Sequence, residues 1–360
     1  METAQLISVF SKFDEASNFK SFQELASGHI NDTYLIETVQ QPKFVLQRIN
    51  HGVFKDVPGL IENKVSVSIH IQEKFKALGK AGEKKEVLRF VRTKEGKSYY
   101  QSENGDYWNL MLFIEDSVTF ETVHDPEIAY EGGKLFGEFL NLTDDFDASK
   151  LTEVIPKFHD MSFRFQQFDA ALLNASSDRV KQAETLISKV KAFKEEMHIL
   201  QNLKDNGAIK IRVTHNDTKI SNALFTKENK GLCVIDTDTI MPGIVHYDFG
   251  DAIRTICNSA AEDEQNLELV TFNVAYYKAY LKGFLEKTGS ALSAIELRYL
   301  PLGAKSMIFI MAIRFLTDFL NNDVYYKTKY ENHNLVRAKN QFKLIASMEE
   351  QMNQIQEKHE

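Results

Sequence analysis

Residues 214–251 hold the side chains best suited to chemistry. The stretch opens with His215-Asn216-Asp217-Thr218-Lys219-Ile220-Ser221-Asn222, of the form H-x-D-x-K-x-x-N, after an apolar β-like run at 209–213. A second apolar run, 232–235, delivers Asp236 after a polar turn at 227–231. This pattern predicts a hairpin that gathers Asp217, Asn222 and Asp236 around one point. The set suits phosphoryl transfer, which asks the protein for positioning and charge rather than covalent chemistry. Asp217 would accept the proton of an acceptor hydroxyl. Asn222 and Asp236 would offer hard oxygens to Mg²⁺, which takes few protein ligands and completes its shell with phosphate oxygens and water. Lys219 would reach the transferred phosphoryl group.

The spacing is that of a kinase catalytic loop followed by its metal aspartate. His215 reads as structural, its imidazole holding loop backbone. Asp238 is left open between assisting the metal and bonding the loop. Tyr247-Asp248-Phe249-Gly250-Asp251 imitates the D-F-G signature, yet it comes after the strand that already delivers Asp236. Asp248 therefore reads as a brace for the catalytic loop. The strand lysine that usually meets nucleotide phosphates is missing; Gln47 and Arg48 stand there, and alternation lets only one face ATP. Glu62 and Glu73, on the next helix, are candidate partners for that position.

These groups need two lobes to hold them. A short helix is expected at 5–13. Strands at 34–38 and 44–49 follow a turn at Gly28, and the periodicity of 58–78 predicts a helix crossing behind them, ended by Gly79 and Gly82. Strands at 87–93, 98–101 and 107–114 complete a small sheet. Phe113, Ile114 and Glu115 would then cross to the second lobe and meet adenine. Beyond them the pattern is helical: 128–142, with Gly132, Gly133 and Gly137 allowing close packing, then 158–173, 179–203, 267–285, 295–321 and 336–355. Strands first and helices later imply an α+β fold, a small antiparallel nucleotide-covering lobe at 1–115 and a larger, mainly helical lobe at 116–360. Arg314, among apolar neighbours, reads as structural, with Asp318 one helical turn away as its pair.

The chain has 360 residues, enough for two such lobes, and a net charge of −8, which argues against nucleic acid as a partner. Its two cysteines make no disulfide framework. The start lacks a signal-peptide pattern, and no apolar run reads as a membrane span. A cytoplasmic enzyme, monomeric or weakly homodimeric, is the expectation.

The residues resemble the aminoglycoside phosphotransferase and choline kinase superfamily, and within it the N-acetylhexosamine 1-kinases. The likeness runs over nearly the whole chain. It is carried by Gly28-His29-Ile30-Asn31, Leu46-Gln47-Arg48, the H-x-D-x-K loop, Asp238-Thr239-Ile240-Met241-Pro242-Gly243, and Asp248-Phe249-Gly250-Asp251. A late block adds Arg314-Phe315-Leu316, Asp323-Val324-Tyr325 and His333 to Arg337. The resemblance implies a two-lobed protein kinase-like fold. It further implies ATP as phosphoryl donor with Mg²⁺, and the C1 hydroxyl of N-acetylglucosamine or N-acetylgalactosamine as acceptor, with Asp217 as base and Asp236 on the metal. His29, Arg314 and Tyr325 fall where that family contacts the sugar, which makes Arg314 a ligand rather than a structural charge. Thr255 stands where an aromatic can occur. The alternatives are a kinase of the aminoglycoside, choline or homoserine type, and a nucleotide-binding pseudokinase scaffold.

Overall fold

The computed structural model describes residues 2–15, 17–25, 30–40, 42–79 and 86–357. The expected turn residues Gly28, His29 and Gly82 lie outside them.

Helix α1 (Thr3–Phe10) precedes strands β1 (Phe19–Glu24), β2 (Asp32–Thr38) and β3 (Phe44–Ile49). Helix α2 (Val57–Ala77) follows, capped by Asp56, whose carboxylate accepts the Gly59 N–H at 2.9 Å. Strands β4 (Phe90–Val91), β5 (Tyr100–Gln101) and β6 (Tyr107–Leu112) complete the sheet, which runs β1-β2-β3-β6-β4 with β5 also on β6, all antiparallel. Alternation along β3 sorts its side chains. Phe44 and Leu46 join Leu6, Val9 and Phe10 of α1 in one cluster, whereas Ile49 packs on the other face with Val57, Leu60 and Ile61 of α2. The small lobe is therefore a sheet between two helices, and α2 is the layer toward the rest of the molecule.

Strand β7 (Ser117–Val118) leads into α3 (Pro126–Leu142), α4 (Met161–Asn174), α5 (Ser177–Met197) and α6 (Ile199–Asp205). Four short strands then surround the catalytic segment: β8 (Arg212–Thr214), β9 (Ala223–Thr226), β10 (Gly231–Val234) and β11 (Met241–Gly243). Helices α7 (Val245–Ile256), α8 (Val274–Thr288), α9 (Ala294–Leu320) and α10 (His333–Glu357) finish the chain. The glycines of α3 serve the expected purpose. A Cβ on Gly133 would lie 2.2 Å from the Tyr280 carbonyl of α8, and one on Gly283 would lie 2.1 Å from the Tyr130 carbonyl of α3. Only bare backbone permits that approach.

The expected hairpin exists with a different partner. Strand β10 pairs with β9, which starts at Ala223, whereas β8 pairs with β11. The apolar run at 209–213 suggested the wrong arm because β9, Ala-Leu-Phe-Thr, is too short to announce itself. The long predicted helix at 179–203 is broken at His198, between α5 and α6. The core helix α9 contains a window apolar and long enough to cross a membrane, with a mean hydropathy of 1.4, but 67% of that window is buried inside the protein, as in a core helix.

Candidate active site

The catalytic loop, His215 to Asn222, hangs from β8 and is held from below by one face of α7. Asp248 and Asp251 sit one helical turn apart, so both carboxylates point the same way. Asp248 accepts the N–H groups of His215 at 2.8 Å and Asn216 at 2.7 Å, and Asp251 accepts that of Thr218 at 2.9 Å. Thr218 Oγ1 also donates to the Asp248 carbonyl at 2.6 Å. These bonds hold Asn216 at φ 64°, in the left-handed region that asparagine tolerates. The buried His215 ring lies between the edges of Phe136 and Phe139. Its Nδ1 accepts the Asp217 N–H at 3.3 Å, so Nε2 carries the proton and donates to the Ile235 carbonyl at 2.9 Å. One imidazole thus links the loop to the strand end that delivers Asp236.

Burial pushes the Asp248 carboxyl up to about 6, against its two backbone donors, which lower it. A raised carboxyl pKa means that the folded protein binds this proton more tightly than the unfolded chain. Raising the pH through the carboxylate range up to about 6 therefore costs stability. The stability of Asp248→Asn relative to wild type should accordingly improve between pH 4.5 and 7, by about 2 kcal/mol. Urea unfolding at a series of pH values measures this; a difference constant with pH would show that Asp248 is ionised throughout.

Asp217 is gripped on one side. Its Oδ2 accepts from Asn222 Nδ2 at 2.9 Å and lies 3.2 Å from Lys219 Nζ, while Asn222 Nδ2 also donates to the Asp217 carbonyl at 2.8 Å. Burial opposes the charge of Lys219, but Asp217 and Asp236 outweigh it and raise the ammonium pKa. Asp236 sits at φ 56°, ψ 56°, and solvent reaches it through the cleft. Confinement between the lobes, then Asp238 and Asp217, push its carboxyl up to about 7. The donor types suit a divalent cation: Asn222, whose nitrogen is committed to Asp217, would offer Oδ1, and Asp236 would add a carboxylate.

Asp238 turns away from that point. It pairs with the buried Lys64 of α2, accepts from Asn31 Nδ2, and takes a longer bond from Gln47 Nε2 at 3.5 Å. The choice between Gln47 and Arg48 is thereby decided. Gln47 faces the second lobe, whereas Arg48 lies on the opposite face, against Asp32 at 2.7 Å from its Nε and Asp106 at 3.3 Å, and over the Trp108 ring. Two carboxylates and alternation hold Arg48 on the face away from the second lobe. Glu62 and Glu73 are exposed; the α2 residue that meets the strand position is Lys64, which donates to Gln47 Oε1 at 3.0 Å. Sequence reading missed it because it sought a carboxylate on that helix.

An apolar cluster bridges the lobes: Val45, Met111 and Ile114 from the small-lobe side pack with Leu224, Leu232 and Ile235 from the other. At the crossing, the Phe113 N–H donates to the Lys43 carbonyl at 3.0 Å, the Ile114 carbonyl accepts from Ser117 Oγ at 2.8 Å, and Glu115 lies 3.6 Å from Lys43 Nζ.

The expected pair between Arg314 and Asp318 is absent. Asp318 accepts the backbone N–H groups of Tyr325 and Tyr326, at 2.8 and 2.9 Å, and the Asn334 side chain at 2.9 Å. It organises the loop after α9. Arg314 has no carboxylate partner among the described residues; it lies over the rings of Phe158 and Tyr326. Tyr325 is 72% exposed with its ring edge on Tyr326, so Tyr326 is the tyrosine that meets Arg314. Burial, and then Arg314, lower Arg164 to about 10. His159 is buried beside the Asn216 backbone, and burial and then Arg314 hold it well below the ordinary histidine range. Arg254 is committed to Asp251 at 3.0 Å and Glu262 at 2.9 Å. Thr255 Oγ1 bonds carbonyls of its own helix. Arg164, His159 and Tyr326 carried no sequence signal, since each looks like an ordinary core or surface residue.

The geometry has counterparts among solved structures. An aminoglycoside phosphotransferase from Alicyclobacillus acidocaldarius subsp. acidocaldarius DSM 446 superposes with a TM-score of 0.65 at 15% identity, covering 96% of each chain. A microcompartment-associated aminopropanol kinase gives 0.64 at 14% identity, covering 98% of each. A spectinomycin phosphotransferase solved with ADP and spectinomycin gives 0.58 at 14% identity, covering 97% of each. The fold is therefore the two-lobed kinase-like α+β fold, with an antiparallel sheet in the small lobe and helices in the large one. The model of the phosphotransferase enzyme family matches residues 21–284, and the chain belongs to that family.

Proposed function

We propose that the protein transfers the γ-phosphoryl group of ATP to the anomeric hydroxyl of an N-acetylhexosamine, giving the α-configured 1-phosphate and ADP. The observation that carries the phosphoryl-transfer part is Asp217, with Asn222 and Lys219 on one carboxylate oxygen and Asp236 close enough to raise the pKa of Lys219. Asp217 orients the acceptor hydroxyl and takes its proton as the oxygen attacks phosphorus. Lys219 meets the charge on the moving phosphoryl group. Asn222 and Asp236 would hold Mg²⁺, which when bound neutralises the phosphate oxygens. The apolar side chains of Val45, Ile114 and Leu224 would flank the adenine ring, with the backbone of Phe113, Ile114 and Glu115 at its edge.

The sugar part rests on Arg314. A half-buried guanidinium without a carboxylate partner among the described residues, over two aromatic rings, suits a neutral, oxygen-rich ligand such as a sugar with an acetamide group. By resemblance His29 and Tyr325 complete the contacts. ADP release tests the assignment with N-acetylglucosamine, N-acetylgalactosamine, choline, homoserine, an aminoglycoside and aminopropanol as acceptors. Turnover confined to the last four would sink the sugar reading. Replacing Arg314 by Ala is expected to raise KM for the sugar about tenfold while KM for ATP stays within about twofold. Equal increases in both would place Arg314 in lobe packing instead.

A further inference from the structure

We infer that Lys64 is a positioning residue for the nucleotide: from α2 it supplies the positive charge that this chain lacks on the strand, and it acts through Gln47. The inference rests on reading the cleft as an ATP site. In the protein-kinase arrangement a strand lysine meets the phosphates and a helix glutamate holds the lysine. Here the two chemical types are exchanged. The strand carries a neutral amide, Gln47, and the helix carries the cation. Lys64 is 2% exposed, donates to Gln47 Oε1 at 3.0 Å and pairs with Asp238.

Two features make this an orienting device rather than an ordinary ion pair. Gln47 Oε1 accepts from Lys64 and, more weakly, from Asn109 Nδ2 at 3.4 Å, so the amide oxygen is held on the donor side. The Gln47 NH₂ group must then point toward the Asp238 side, where its bond of 3.5 Å is long and weak. That NH₂ is a donor available to a phosphate oxygen. Second, α2 is fixed in register one residue earlier. Asn63 Nδ2 donates to the carbonyls of Thr152 and Ile240, each at 2.8 Å, and Asn63 Oδ1 accepts the Thr152 N–H at 2.9 Å. With Asn63 clamped to the large lobe, Lys64 is aimed at the junction. Lys64 thus occupies Asp238 and orients Gln47. The ligand class is a nucleoside di- or triphosphate.

Titration calorimetry of the full chain with ADP and MgCl₂ tests this. Lys64→Met leaves Asp238 buried and unpaired and risks misfolding, so the decisive variant is Lys64→Met with Asp238→Asn. Its ADP Kd is expected to rise about tenfold, with KM for ATP raised in parallel and KM for the acceptor unchanged. The exchange variant, Gln47→Lys with Lys64→Glu, restores the usual polarity and is expected to bind ADP within about threefold of wild type. Wild-type affinity in the first double variant, or no recovery in an exchange variant that melts cooperatively, overturns the inference. Wild-type protein that binds no ADP overturns instead the reading of the cleft on which the inference rests.

Discussion

Asp217→Asn is expected to lower kcat about 10³- to 10⁴-fold, the scale of a lost general base, while the Kd for ADP and the thermal midpoint stay near wild type. Asparagine keeps the shape of the side chain and one acceptor oxygen, so the Asn222 bonds at 2.8 and 2.9 Å can persist. The backbone of the loop does not depend on this carboxylate. It is held by Asp248, Asp251 and His215, none of which bonds the Asp217 side chain. What disappears is the carboxylate proposed to take the hydroxyl proton. Steady-state kinetics with a sugar acceptor, beside calorimetry with ADP, separates the two effects. Turnover within tenfold of wild type would remove Asp217 from the chemistry.

The second large effect is on stability and falls far from the cleft. Glu296→Ala is expected to destabilise the fold by about 3–5 kcal/mol, because it strands a buried guanidinium. Arg212, on β8, donates to both Glu296 oxygens at 3.0 Å and to the Ala291 carbonyl at 2.6 Å, with Asp144 as a further partner. Burial alone would raise the Glu296 carboxyl, but the Ser293 backbone and hydroxyl and then Arg212 hold it below the usual value. Glu296 also closes the capping box of α9 with Ser293, and its carbonyl meets the His246 ring at 3.0 Å. One side chain therefore ties the start of α9 to the strand from which the catalytic loop hangs. Chemical denaturation reads the loss directly. The double variant Arg212→Met/Glu296→Leu, which removes both charges, should recover most of it. A Glu296→Ala variant as stable as wild type would mean that Asp144 alone satisfies Arg212.

The catalytic loop was legible because its groups lie close in sequence and must keep their chemical types. Asp217, Lys219 and Asn222 form one short motif, and Asp248 and Asp251 repeat at helical spacing. The elements were legible where the pattern is long: α2, α3 and α9 were predicted within a few residues of their observed bounds. Strand β9 was missed because four residues hold no period. The expected pair between Arg314 and Asp318 failed because helical spacing says which residues are neighbours, not which bonds win. Two backbone N–H groups and an asparagine outbid the arginine for Asp318.

By itself, then, the sequence determined the family, the α+β two-lobed plan and which side chains the loop gathers, since these depend on motif, period and side-chain type within short stretches. Only the tertiary structure decided which face of β3 meets the second lobe, that the cation there comes from Lys64 of α2, and that Arg48 belongs to the opposite face. It also brought Arg164, His159 and Tyr326 to Arg314. The physical reason is common to all of these. A contact between residues distant in the chain depends on how helices and sheets pack, and packing leaves no spacing in the sequence from which to read it.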